Sequence, residues 1–215
     1  MAAVPIKPEY GPTLGRMLAP RWRAAAAPLR WAAIATGALA AIAVGALALT
    51  LENAHYSHGG GMPFGFAYRG LWRTAPEAGG YVRLVARDED GLRYSYEVDP
   101  LTVPAYAGNV SGELPAFATG YEARLAARFD DYVPRGEGKT RANGVPGYQI
   151  LITARVGGRG MYGRDVLLLP PREGARGGVS IVMLTAVGVT SQVRSPAEVA
   201  SEGVLLRPLK TFSFG

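Results

Sequence analysis

Tyr81-Val82-Arg83-Leu84-Val85-Ala86-Arg87, then Asp88-Glu89-Asp90-Gly91, then Leu92-Arg93-Tyr94-Ser95-Tyr96-Glu97-Val98, decides the fold of this chain. Each outer run alternates with a period of two, the spacing of a strand that buries one face. Asp and Gly between them are the residues that reverse a chain. The segment predicts an antiparallel hairpin. Residues 66–72 add a preceding strand, or the start of one. The three acids of the turn lack the further ligands of a calcium loop, and a solvated turn accounts for them.

Downstream, residues 113–133 predict an amphipathic helix. Leu114, Phe117, Tyr121, Leu125, Phe129 and Tyr132 recur every three or four positions. Glu122, Arg124, Arg128, Asp130 and Asp131 fill the other face, and Pro115 suits the first turn. Asn143-Gly144-Val145-Pro146-Gly147 is a turn cluster leading into an alternating strand over 148–156. Residues 157–163 read as a loop. Apolar strands are expected at 165–169 and 179–187, parted by Pro170-Pro171 and the loop 174–178. Ser195-Pro196-Ala197-Glu198 has the form of a capping box opening a short helix that Gly203 ends. Residues 204–214 finish as a strand, Pro208 marking an edge or bulge.

Strands, a long helix, more strands and a short helix make an α+β domain, an antiparallel sheet covered by one long and one short helix. This order, with a hairpin before the long helix, NGVPG entering a long strand, a Gly-Arg-containing return strand and a Phe-Ser-Phe close, resembles the PsbP-like fold group. That group includes bacterial exported proteins such as DcrB, and the resemblance spans residues 64–214. It implies a PsbP-like sandwich and an accessory or binding role. It transfers no catalytic residues.

Ahead of the domain, residues 31–51 read WAAIATGALAAIAVGALALTL, without a charge or a proline. A helix of about 20 such residues crosses a hydrocarbon core of about 30 Å. Thr36 and Thr50 can bond back to helix carbonyls. Lys7, Arg16, Arg21, Arg23 and Arg30 precede the run against Glu9 alone, and the first basic residue after it is Arg69. The basic flank stays inside. The predicted organisation is a largely disordered cytoplasmic tail at 1–29, a transmembrane helix at 30–51, a flexible linker at 52–63 and an extracytoplasmic domain at 64–215. Two rivals stay open. A cleaved signal peptide would need an apolar run of only about 7–15 residues and would place Glu52 close to the cut. A soluble core helix would have to be apolar all round. Ala33, Gly37, Ala41 and Gly45 form a small-residue stripe, the candidate packing face for a homodimer through this helix.

The net charge of +6 comes mostly from the tail, so the partners expected are the lipid bilayer and an envelope protein or cell-wall component, with no nucleic acid. With no cysteine, disulfides, thiol catalysis and cysteine zinc sites are excluded. His55 and His58 are the only histidines and precede three glycines in a segment read as linker. Neither a Ser-His-Asp nor a Cys-His set can form inside the domain. No catalytic, cofactor or metal residues are expected. Arg159, Arg164, Arg172 and Arg176, in two neighbouring loops, are the candidate contact surface if those loops share one end of the sheet. The alternative is a small-molecule receptor or hydrolytic enzyme with a pocket between helix 113–133 and the sheet, lined by Tyr121, Tyr94 and Tyr96.

Overall fold

The computed structural model describes residues 54–104, 110–172 and 174–215, and, of the N-terminal part, residues 26–28, 31–32, 35–40 and 42. The chain divides into two units, Met1–Thr50 and Leu51–Gly215. In the first, residues 27–28, 31–32, 35–40 and 42 are helical. Thr36 Oγ1 donates to the Ala32 carbonyl at 2.9 Å, the back-bond its sequence position suggests. Among the described residues no helix is long and apolar enough to cross a membrane. Most of the predicted span, with Ala33, Ala41 and Gly45 of its packing face, lies outside the described residues.

The second unit is built on a sheet of seven strands among the described residues. In chain order its strands are β3 (Trp72–Thr74), β4 (Val82–Asp88), β5 (Gly91–Thr102), β6 (Asp130–Ala142), β7 (Val145–Val156), β8 (Arg159–Leu168) and β9 (Gly177–Ala186). Their order in space is β3-β4-β5-β9-β8-β7-β6, antiparallel throughout. The helix α1 (Val110–Ala126) covers one face. A small sheet, β1 (Ala54–His58), β2 (Phe64–Tyr68) and β10 (Ser213–Phe214), covers the other with a 3-10 turn at Pro196–Glu198 and the short helix α2 (Leu206–Lys210). The α+β class and the antiparallel sheet are thus present, with the long helix on one side; the short helix expected at 195–203 is only the 3-10 turn Pro196–Glu198, and α2, on the opposite side, lies in the segment expected to be strand.

Each face buries its own apolar cluster. Leu84, Tyr96, Val98, Ile181, Met183 and Phe212 pack under the small sheet, where Phe64 stacks on Phe212 at 5.6 Å and Phe66 meets Tyr96 at 5.0 Å. Leu114, Ala118, Leu125, Ile150, Ile152, Met161 and Leu167 pack under α1. Alternation along the strands sorts the side chains between the two.

Five expectations are corrected. The predicted helix stops at Ala126, because Arg128 and Phe129 close tight bonds to Leu125 and Ala126 and Asp131 takes a positive φ of 49°. Phe129, in the turn after α1, and Tyr132, on β6, still pack against the same apolar layer. The expected loop at 157–163 is a two-residue turn, Gly157 (φ 58°) and Gly158 (φ 81°). It parallels Asn143 (φ 46°) and Gly144 (φ 83°), the φ signs that tight hairpins require. The linker at 52–63 contains β1, whose residues pair with β2 from Ala54↔Tyr68 to His58↔Phe64. Residues 204–214 form α2 and only a two-residue strand. In the capping box, Glu198 accepts from the backbone N–H of Arg194 and Ser195 makes no side-chain cap.

Candidate functional site

Strand β5 carries a polar line through its helix-facing side. Tyr96 and Val98 join the aromatic cluster, while Glu97 and Asp99 turn toward the end of α1. The turn after α1 delivers Arg128 among them. Its guanidinium lies 2.7 Å from Asp99, 3.3 Å from Glu97 and 3.2 Å from Glu77. Arg83 of β4, opposite Glu97 in register, stands 3.7 Å from Glu97 and 3.6 Å from Glu77. Glu97 is 3% exposed. Burial raises its pKa, the neighbouring Asp99 raises it further, and the two arginines oppose the rise.

The line continues across β9 and β8. Asp99 faces Ser180 in register. The Tyr121 hydroxyl of α1 donates to Ser180 Oγ at 2.8 Å, and Ser180 Oγ donates to Asp165 Oδ1 at 2.7 Å. Asp165 is wholly buried, and among the described residues its Oδ2 has no hydrogen-bond partner. Burial pushes its pKa up to about 6 against the pull of the Ser180 and Tyr121 hydroxyls and of Arg128. Burial likewise raises the Tyr121 phenol far above its ordinary value.

Two cavities flank Arg128. The larger, of about 290 Å3, lies between α1 and the sheet edge and is lined by Glu77, Gly80, Asp99, Tyr121, Arg124 and Arg128. A Cβ at Gly80 would come within 2.7 Å of Asp99 Oδ1, so a side chain there would crowd the carboxylate. The smaller, of about 170 Å3, is lined by Glu77, Arg83, Ser95, Glu97, Asp130 and Arg155. The larger sits at the low end of the range of about 300–1,000 Å3 usual for ligand pockets. Its chemistry is that of paired charges. Arg128 is shared by three carboxylates, and Arg124 stacks over Phe117 and Tyr121 at 5.6 and 5.3 Å. Ser180 touches an acid but no imidazole, and its hydroxyl proton is already directed at Asp165.

The four arginines of the predicted contact surface do not share one end of the sheet. Arg159 opens β8 and Arg172 follows its far end, about 30 Å along the strand at about 3.3 Å per residue. Arg159 reaches Asp88 at 2.6 Å and the Leu92 carbonyl at 3.3 Å. Arg164 lies mid-strand, half-buried, donating to the Val199 carbonyl and to Thr140 Oγ1. Arg172 and Arg176 are exposed together in the β8–β9 connection. The loops flanking one strand of a meander fall at opposite ends, which separates the pairs. Of the three tyrosines, Tyr121 lines the larger cavity, whereas Tyr94 and Tyr96 belong to the opposite face. His58 packs on Tyr81 at 4.4 Å and Phe64 at 5.1 Å, and among the described residues no three metal-ligating side chains come together.

Sequence reasoning missed Glu97, Asp99, Arg128, Asp165 and Ser180. One signal was there. Asp165 heads the apolar run Val166-Leu167-Leu168-Leu169, and an acid in a strand buried on both faces needs a partner.

No family model and no curated protein matches this chain. Solved structures similar to it include LpqN of Mycobacterium tuberculosis, described as involved in cell envelope biogenesis (10% identity, 75% of this chain and 90% of that one, TM-score 0.46). The cyanobacterial PsbP protein of Synechocystis aligns at 16% identity over 77% and 94% of the two chains, TM-score 0.46. The Ran-binding protein Mog1p of Saccharomyces cerevisiae aligns at 12% over 76% and 95%, TM-score 0.46. A PsbP protein is thus among the solved structures similar to this chain.

Proposed function

We propose that this chain is a single-pass membrane protein presenting residues 54–215 outside the cell as a non-enzymatic binding or accessory domain of the bacterial envelope. The observation that supports the non-enzymatic part is the mutual pairing of the charges in the cleft. Among the described residues Arg128 and Arg83 are occupied by Glu77, Glu97 and Asp99, so these carboxylates are held by countercharges. The anchor rests on the uncharged run 31–51 and its one-sided basic flank. The cytoplasmic tail, the candidate homodimer through the span and an envelope or cell-wall partner belong to the same reading.

The test is protease added to sealed cells expressing the full chain. Digestion of the C-terminal domain, with residues 1–51 retained in carbonate-washed membranes, is the expected outcome. A protected domain, or mature protein beginning near Ala54, sinks the reading. A second reading, a small-molecule receptor, is favoured by the cavity at Tyr121 and Arg124. It predicts that Tyr121→Ala abolishes a thermal shift produced by a metabolite extract, and a chain that no extract stabilises counts against it.

A further inference from the structure

We infer that the end of the domain around Trp72 rests on an anionic lipid headgroup layer, an inference that depends on the anchor proposed above. Three observations converge. First, the linker read from the sequence is a strand. If residues 31–51 span the bilayer, only residues 52 and 53 separate the helix from β1, and three backbone steps reach at most about 10 Å. Ala54 is held by pairing with Tyr68, so the anchor proposed above would tether the domain by the end of the small sheet that carries that pair.

Second, the same end carries an exposed aromatic side chain. From Tyr68 the chain turns through Arg69 and Gly70, buries Leu71, and reaches Trp72, which is 74% exposed at the start of the edge strand β3. Arg73 lies with its guanidinium 5.2 Å from the Tyr56 ring of β1. An indole has an apolar body and a polar N–H, which suits the boundary between acyl chains and headgroups.

Third, exposed cations surround it. Arg69 and Arg73 lie within three residues of Trp72, and Lys210 adjoins Thr211, whose hydroxyl accepts from the Ala67 N–H at 2.9 Å. Glu202, in the turn before Val204, and Glu52, two residues before Ala54 in the chain, are the acids of this end, and three cations against two leave a small positive excess. Each basic side chain close to an anionic membrane adds about 1 kcal/mol of attraction. The contact orients the domain on the bilayer.

The experiment uses the full chain with Trp22→Phe and Trp31→Phe, leaving Trp72 as the sole tryptophan. It is reconstituted into vesicles of phosphatidylcholine with or without phosphatidylglycerol, some carrying a headgroup-depth quencher. Flotation reports anchoring; Trp72 emission reports contact. The expected result is flotation in both lipids, with a blue-shifted, largely quenched Trp72 in the anionic vesicles. High salt and the triple variant Arg69→Glu, Arg73→Glu, Lys210→Glu should restore most of the emission without affecting flotation. A chain that floats while Trp72 stays unquenched overturns the surface and leaves the anchor standing. A chain that does not float overturns both. Quenching that is equal in phosphatidylcholine alone, or unchanged in the charge-reversed variant, overturns the anionic-lipid assignment.

Discussion

The two faces of the seven-stranded sheet solve the same problem in different ways. Under the small sheet the layer is aromatic and dry: Phe64, Phe66, Tyr96 and Phe212, with Leu and Ile between them. Under α1 the layer is apolar at the β7 side but polar along a line from Arg83 through Glu97, Asp99 and Ser180 to Asp165. Tyr96 and Glu97 are neighbours in sequence and both are buried, yet one is held by packing and the other by two guanidinium groups. A packed face loses stability in proportion to the volume removed. A face built on buried charge loses it when the balance of charges is broken, and it responds to pH.

The comparison breaks most readily at Phe212, which is wholly buried between Phe64 and Phe214. Phe212→Ala should cost about 3–5 kcal/mol in urea unfolding, with no change in pH dependence. On the other face, Arg128→Ala strands Glu97 with Arg83 at 3.7 Å as its remaining cation. A loss of about 3 kcal/mol is expected. Adding Glu97→Gln should recover part of it, because the charge left behind is the source of the cost. Failure of that rescue would mean that Arg128 acts through its packing.

Asp165 sharpens the contrast by titration. Its folded pKa, about 6, lies above the ordinary value of 3.8. The native state therefore holds the proton more tightly than the unfolded chain. Its contribution is fully present below about pH 4 and is lost as pH rises to about 6, an effect of about 3 kcal/mol. Urea midpoints of wild type and Asp165→Asn compared between pH 4 and 7 should diverge over that window, the variant lacking this fall. The smallest effect belongs to Tyr121→Phe, which removes one hydroxyl from Ser180 and should cost about 1 kcal/mol. The same change should move the pH midpoint of the Asp165 transition upward, since the Tyr121 hydroxyl holds that pKa down.

Legibility from sequence followed locality. The hairpin at 81–98 and the strand at 148–156 were readable because alternation and turn residues lie within a few positions of each other. The strand β6 was not. Asp130-Asp131-Tyr132-Val133-Pro134-Arg135-Gly136 has the composition of a loop, and it becomes a strand because the edge of β7 offers hydrogen bonds along its length, with irregular register at Asp130/Val133 and Pro134/Gly136. β1 is the same case, drawn from a glycine-flanked segment by the edge of β2. The candidate site was the least legible part. Its residues lie on β4, β5, α1, β8 and β9, so no spacing in the chain brings them together.

The amino-acid order alone determined which segments alternate, where the chain turns tightly, and that residues 31–51 carry no charge, because each depends on neighbouring residues. Tertiary structure decided where α1 ends, which weak segments extend, and that Glu97, Asp99, Ser180 and Asp165 share a buried line. Those outcomes depend on hydrogen-bond partners and countercharges supplied from distant parts of the chain.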